Sequence, residues 1–194
     1  IKNYLKKNKP KYLIHLAALS RPMKIHEHDI NKSIDLNIVG TANITKVCFM
    51  LNIKLIYFST TYVYPGFKGN YKETDPLLPY NNYSWSKLGG ESSVQMYNNS
   101  LILRVSMSER PFPHKKAFGD FITNFIYQDE VAKILLKLIN QKGIINIGGK
   151  SQSVYNFIKK MNPKIKKSYA RKTLGANYPL KPSANIKKLT KLLK

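Results

Sequence analysis

Tyr83 and Lys87 stand four positions apart in the run Tyr83-Ser84-Trp85-Ser86-Lys87. On a helix, residues i and i+4 lie on one face a single turn apart, so both side chains can point into one site. A neighbouring ammonium favours a phenolate and pulls a tyrosine down from its ordinary value of about 10. A phenol tuned in this way exchanges protons with a sugar or alcohol oxygen near neutral pH. Thr60 closes the apolar run Leu55-Ile56-Tyr57-Phe58-Ser59-Thr60, and at the end of a buried strand its hydroxyl would orient the same oxygen. A Tyr-x-x-x-Lys pair alone is a weak signal, since most such pairs are surface accidents of an exposed helix. The chemistry requires a strand end to lie beside that helix face.

The pattern along the chain supplies such elements. Tyr12 to Ala17 is a short apolar run ending in small residues, which suits a buried parallel strand. Over residues 31–51, Ile34, Ile38, Ala42, Thr45 and Cys48 recur at helical spacing. Residues 55–59 read as the next strand, ended by Pro65-Gly66. A helix is expected over 82–97, with Gly89-Gly90 inside it. Two glycines are unfavourable in a helix interior, and close packing against a neighbour would account for them. A strand over 100–105, a loop region over 109–125, a helix over 128–139, a strand over 144–147 and a short helix over 154–161 follow. A last helix over 184–193 shares Ile186, Leu189 and Leu193 on one face. Strands alternating with helices predict an α/β fold, a Rossmann-like parallel sheet flanked by helices.

These pieces carry a resemblance. His15-Leu16-Ala17-Ala18 at a strand end, Asn37-Ile38-Val39-Gly40-Thr41 in the next helix and Phe58-Ser59-Thr60-Thr61-Tyr62-Val63-Tyr64-Pro65-Gly66 come in order. They are followed by Glu73-Thr74-Asp75-Pro76, Pro79, Tyr83, Lys87, Gly90-Glu91, Leu101-Ile102-Leu103-Arg104 and Asp129-Glu130-Val131-Ala132. The set resembles the extended short-chain dehydrogenase/reductase family, the NAD-dependent epimerases and dehydratases. Within it the chain is most similar to the dTDP-4-dehydrorhamnose reductase group of sugar-nucleotide-binding proteins. Each motif is weak by itself and the ordered set is specific.

The resemblance implies NAD or NADP as cofactor, a nucleotide-sugar substrate and hydride transfer at C4 of a nucleotide-linked deoxyhexose. It makes Thr60, Tyr83 and Lys87 the catalytic residues. Leu16, Ala17, Ala18, Ser59, Tyr83, Lys87 and Ser106 are implied at the cofactor, and Thr60, Thr61 and Tyr83 at the substrate. A 4-epimerase on the same trio, or a non-catalytic binding or regulatory subunit on the same fold, are the alternatives. A 4,6-dehydratase is disfavoured, because Thr61-Tyr62 stand where that group carries Asp-Glu. The reductases commonly have Asp at the position of Thr61. Residues 1–108 would form a partial cofactor domain with the catalytic residues, and 109–194 mostly a substrate-binding portion interleaved with the last sheet elements.

One departure stands out. The Gly-rich strand–turn–helix that opens the family, and whose backbone N–H groups hold a pyrophosphate, has no counterpart ahead of Tyr12. With a βαβ unit of about 30 residues, roughly 50–60 residues of the family's beginning are not represented. The expectation is a fragment of a longer enzyme rather than a shortened relative.

Composition bounds the rest. The 194 residues, 43% apolar, can form a substantial core. No run approaches the roughly 18 apolar residues of a transmembrane helix, and no membrane insertion is expected. A single cysteine, Cys48, precludes an internal disulfide and reads as a buried thiol. No metal site is read: His26 and His28, beside Glu27 and Asp29, look like a solvated segment without a third ligand. The formal charge of +23 comes from 33 Lys and Arg against 10 Asp and Glu, and no acid follows Glu130. Most of these cations are Lys, and neither zinc spacing nor an RNP-like motif is present, so nucleic-acid binding is not expected. Gly148-Gly149-Lys150-Ser151 resembles the end of a phosphate loop, but Gly143 lies one residue out of register. A cytoplasmic protein, with a homodimer as one possible state, completes the expectation.

Overall fold

The computed structural model describes residues 1–194. From the N-terminus the elements run α1 (Lys2–Asn8), β1 (Tyr12–His15), α2 (Ile25–His28), α3 (Ile30–Ile34), a π-helical turn (Asp35–Val39), α4 (Gly40–Met50), β2 (Lys54–Thr60), a 3₁₀ turn (Thr61–Val63), α5 (Asn82–Gln95) and β3 (Ser100–Val105). There follow β4 (Met107–Ser108), β5 (Lys116–Phe118), β6 (Ile122–Thr123), β7 (Ile126–Tyr127), α6 (Gln128–Leu138), β8 (Gly143–Ile147), β9 (Gln152–Ser153), α7 (Val154–Lys159), β10 (Lys166–Ser168), α8 (Ala170–Leu174) and α9 (Lys187–Leu192). The expected α/β fold with a helix-flanked sheet is what forms. No helix is long and apolar enough to cross a membrane.

The chain divides into two compact units. The first comprises Ile1–Val63, Pro79–Arg104 and Ile139–Ile145. Its sheet has the order β1-β2-β3-β8, with β1 and β2 parallel from Tyr12↔Lys54 to His15↔Tyr57. β2 and β3 are almost continuously buried, as parallel strands covered on both faces must be. Leu5, Cys48, Ile53, Leu55, Tyr57, Val94, Tyr97 and Ile102 make the core. Within it the Cys48 thiol is fully enclosed, and burial pushes its pKa up to about 11, so it is a packing group as expected.

Asn81 caps α5, its Oδ1 accepting from Ser84 N at 2.8 Å; a side-chain acceptor at this position satisfies a free N–H of the first turn. The paired glycines then allow close approach. A Cβ on Gly90 would lie 2.4 Å from the Asn37 carbonyl oxygen and 2.8 Å from Tyr57 Oη, whereas one on Gly89 would meet the flexible Cδ1 of Ile38 at 2.7 Å. Gly90→Ala is therefore expected to lower stability by about 1–3 kcal/mol, because a backbone carbonyl cannot yield. Gly89→Ala is expected to lose less. Urea unfolding of the two variants side by side checks the order.

Helix periodicity over residues 31–51 was only half informative. The buried stripe is Ser33, Asn37, Thr41, Thr45 and Cys48, small and polar, while Ile34 is 40% exposed. The π-helical turn at Asp35–Val39 inserts one residue and rotates the isoleucines off the core side. Such turns concentrate at functional sites, and this one carries Asn37.

The second unit comprises Tyr64–Leu78, Val105–Leu138 and Asn146–Lys194. Short ladders join β4 to β7 and β5 to β10 in parallel and β6 to β9 antiparallel. Two of these strands, β5 and β6, lie in the region read as loop; strands of two or three residues leave no alternation to detect. Two buried asparagines tie the unit together. Asn146 accepts from Tyr64 Oη at 2.8 Å and donates to the Tyr71 carbonyl at 3.0 Å. Asn124 exchanges hydrogen bonds with the backbone of Ala184. A Cβ at Gly148 would come within 2.3 Å of Asn124 Nδ2, so the Gly148-Gly149 pair serves chain packing here. α6 buries Val131, Leu135 and Leu138.

Candidate active site

The first unit brings together the three residues expected to do chemistry. β2 carries Tyr57 and Thr60, and α5 carries Tyr83 and Lys87. Thr60 is buried, and its Oγ1 accepts from Tyr62 N at 3.2 Å, which holds the hydroxyl at the strand end. Tyr83 is half-buried, with its ring edge-on to His26 at a centroid distance of 5.2 Å.

Burial pushes the Tyr83 phenol above its ordinary pKa; the adjacent Thr60 hydroxyl and the Arg21 charge pull it part of the way back. The expectation that Lys87 sets this balance is corrected. The Lys87 ammonium lies 4.3 Å from the centroid of the Tyr57 ring, and burial outweighs the lowering influences on Tyr83. Arg21 follows β1, far from Tyr83 in sequence, and only the fold brings its charge to bear on Tyr83.

Lys87 is itself perturbed. It is 5% exposed, and burial, opposed by the Glu91 charge, lowers its pKa from 10.5 to about 8. No carboxylate pairs with it; Tyr57 Oη donates to its backbone carbonyl at 3.1 Å. Between pH about 8 and 10.5 the unfolded Lys87 holds a proton that the folded one has released, so the contribution of Lys87 to stability rises with pH across that window, against the opposite contribution of the raised Cys48 thiol. The two limits correspond to on the order of 3 kcal/mol. Lys87→Met is expected to raise stability at pH 7 and to remove this alkaline rise, which urea titrations between pH 7 and 10.5 would resolve. A rise of unchanged size in the variant would show that another group is responsible.

His15 ends β1, its Nε2 3.0 Å from Thr41 Oγ1. Burial first, and the Lys87 charge second, lower its pKa to about 4. It is neutral at physiological pH and takes no part as an acid. His26 is corrected: it is fully buried, not solvated, with Nδ1 2.7 Å from Ser33 Oγ and Nε2 without a partner. His28 is exposed, and no group of His, Cys, Asp and Glu is arranged to hold a metal ion.

The segment after β1 is pinned by Asn37. Its Oδ1 accepts from Leu19 N at 2.7 Å, and its Nδ2 donates to the Leu19 carbonyl at 2.9 Å and to Ser86 Oγ at 2.8 Å. One fully buried amide thus fixes the segment after β1 to α5. Leu16, Ala17 and Ala18 are exposed there, open to a ligand. The other expected contacts differ. The Ser59 hydroxyl donates to Glu91 Oε2, which leaves only its backbone to face a cofactor. Thr61 is completely enclosed and its hydroxyl has no hydrogen-bond partner, so its side chain packs behind the site surface. Ser106 belongs to the second unit, with its hydroxyl 2.6 Å from Thr123 Oγ1.

Glu91 and Arg104 form a buried pair that the motifs flagged without revealing their connection. Arg104 Nη2 lies 2.6 Å from Glu91 Oε1, and Nε lies 3.1 Å from the same oxygen and 3.3 Å from Oε2. Gln95 Nε2 adds a bond to Oε1 at 3.1 Å. The pair joins α5 to β3 and, through Ser59, to the residue before Thr60. It is a frame that holds the site rather than part of its surface.

Comparison with known proteins gives the chain recognisable relatives. A dTDP-4-dehydrorhamnose reductase from Aggregatibacter actinomycetemcomitans is 28% identical over 141 residues, 72% of this chain and 42% of that protein. The methionine adenosyltransferase 2 subunit beta of Xenopus laevis is 35% identical over 106 residues, 54% of this chain and 31% of that protein. The chain thus spans less than half the length of either relative. A dTDP-4-dehydrorhamnose reductase of Bacillus anthracis, solved in complex with NADP, superposes with a TM-score of 0.84 over 97% of this chain and 76% of its own, at 21% identity; that likeness is one of fold. The sequence model of the RmlD substrate binding domain family matches residues 1–135, most of the chain's 194, and this chain belongs to that family.

Proposed function

We propose that the chain is the catalytic portion of a nucleotide-sugar 4-keto reductase that uses NADH or NADPH. The observation that carries this reading is the convergence of Thr60, Tyr83 and a buried, unpaired Lys87 in one unit. An ammonium enclosed without a carboxylate or acceptor is unfavourable unless a ligand supplies one. The paired hydroxyls of a nicotinamide ribose are acceptors of the right kind, so this part of the donor set fits the cofactor. The exposed Leu16-Ala17-Ala18 segment is open beside it.

A reduced nicotinamide held there by Lys87 would supply the hydride for C4 of the sugar. Tyr83 gives its phenolic proton to the C4 oxygen as the carbonyl becomes an alcohol. Thr60 donates a hydrogen bond to the same oxygen and fixes its direction. Lys87 would hold the ribose, and the Arg21 charge favours the phenolate left on Tyr83. Burial keeps the phenol protonated, as a proton donor to the C4 oxygen must be.

The second reading is a non-catalytic partner subunit, and the likeness to a methionine adenosyltransferase beta subunit is the observation in its favour. Turnover separates the two. The intact protein, mixed with NADPH and a nucleotide-linked 4-keto deoxyhexose, is expected to consume the reduced cofactor in step with alcohol formation. A 4-epimerase would instead interconvert 4-hydroxy sugars without net consumption. Binding of cofactor with neither reaction would overturn the reductase reading in favour of the subunit.

A further inference from the structure

Lys87 is held by one residue at both of its ends. Its ammonium lies 4.3 Å from the centroid of the Tyr57 ring, within the reach of a cation–π contact. Its backbone carbonyl accepts from Tyr57 Oη at 3.1 Å. Tyr57 on β2 is 1% exposed and Lys87 on α5 is 5% exposed, so little water screens either contact. The double hold depends on Gly90. A Cβ there would lie 2.8 Å from Tyr57 Oη and would push the phenol away from the Lys87 carbonyl.

A ring in place of a carboxylate has a chemical consequence. An ammonium carries three N–H donors and no acceptor. A carboxylate partner takes up donors along with the charge, whereas an aromatic face attracts the charge through its quadrupole and is met by a single N–H. Glu91, the acid whose charge Lys87 feels, is already engaged, since its oxygens accept from Arg104, Ser59 and Gln95. Burial holds the Tyr57 phenol protonated, so it meets Lys87 as a neutral ring and not as a phenolate counter-ion.

We propose that Tyr57 is a positioning residue for Lys87: its ring seats the ammonium and its hydroxyl steadies the helix turn, which presents the remaining N–H donors to the paired hydroxyls of a ligand ribose. The identity of that ligand rests on the nicotinamide reading of the site, whereas the seat itself does not. Lysine suits the role because its ammonium is a point charge on a flexible stem, and without a seat that stem would leave the donors undirected.

A fluorine series at position 57 of the intact protein tests the proposal. Tyr57→Phe keeps the ring, added ring fluorines weaken its π face at nearly constant shape, and Tyr57→Leu removes it. The dissociation constant for NADPH is expected to stay within about twofold of the parent in Tyr57→Phe, to rise with each fluorine and to reach about tenfold in Tyr57→Leu. Binding of the nucleotide sugar is expected to be unchanged. In the ligand-free protein, NMR of the Lys87 side chain is expected to show its titration falling below about 8 in the same order, because a weaker seat favours the neutral amine. Equal loss in Tyr57→Phe and Tyr57→Leu would assign the effect to the hydroxyl and overturn the proposal. So would a Lys87 titration indifferent to fluorine, which would make the ring ordinary packing, or one that moves while NADPH binding does not. If the parent protein binds no NADPH, the cofactor reading falls and the ligand-free titration decides the seat alone: a stepwise fall keeps it, and an unmoved titration overturns it.

Discussion

Tyr83→Phe is expected to lower kcat by roughly 10²–10⁴-fold while KM for the nucleotide sugar changes little. The substitution removes one oxygen and keeps the ring that packs edge-on to His26. Thr60 remains to bind the sugar oxygen, so ground-state binding persists and the lost interaction belongs to the transition state. No other group in the first unit is suited to take over the proton. His15 is neutral, with its pKa lowered to about 4, and Lys87 sits over the Tyr57 ring. Steady-state kinetics of the intact protein decide the matter, and unchanged turnover would remove Tyr83 from the chemistry.

Arg104→Met is expected to lower stability by about 3–5 kcal/mol. Arg104 and Glu91 are 1% and 0% exposed, and the substitution leaves a carboxylate enclosed with Ser59 and Gln95 as its remaining donors. Replacing both charges, as in Glu91→Leu with Arg104→Met, is expected to recover most of the loss, because an apolar pair of similar volume is often no less stable than a buried ion pair. Urea unfolding at pH 7 with the m-value monitored measures both. A loss below about 1 kcal/mol in the single variant would mean that the pair behaves like an exposed one. Since Ser59 precedes Thr60, relaxation of this frame is also expected to reduce turnover in the single variant.

The parts legible in the sequence were those written in local spacing. Tyr83 and Lys87 declare a shared helix face, Thr60 a strand end, and Gly89-Gly90 a close approach, which the Asn37 carbonyl turns out to make. Val131, Ile134, Leu135 and Leu138 recur at helical spacing, and α6 buries all of them but Ile134, which is half-buried. What escaped depends on contacts between distant positions. Glu91 and Arg104 are thirteen residues apart and nothing local pairs them, so the role of Ser59 as a donor to that carboxylate was equally hidden. The π-helical turn shifts the buried stripe of residues 31–51 by one position, and a fixed helical period cannot anticipate an inserted residue. The tuning of Tyr83 was misjudged for a related reason: spacing indicates which charge is near in sequence, whereas burial and the Arg21 charge, both products of the fold, set the outcome. His26 looked solvated among charged neighbours, yet it packs against Tyr83 because α2 is anchored to the start of α5, where Asn82 Nδ2 donates to Glu27 Oε2 at 2.7 Å.

In the proposed function Tyr83, Lys87 and Thr60 serve hydride transfer to C4 of a nucleotide-linked sugar. The most direct measurement supplies the intact protein with NADPH carrying deuterium at the transferable position and with a nucleotide-linked 4-keto deoxyhexose, then locates the label by mass spectrometry and NMR. The account predicts one deuterium at C4 of the product alcohol, and none when Tyr83 is replaced by Phe over the same time. Unlabelled, unreduced sugar recovered from a protein that binds both ligands would contradict it and leave the chain as a binding subunit on a reductase fold.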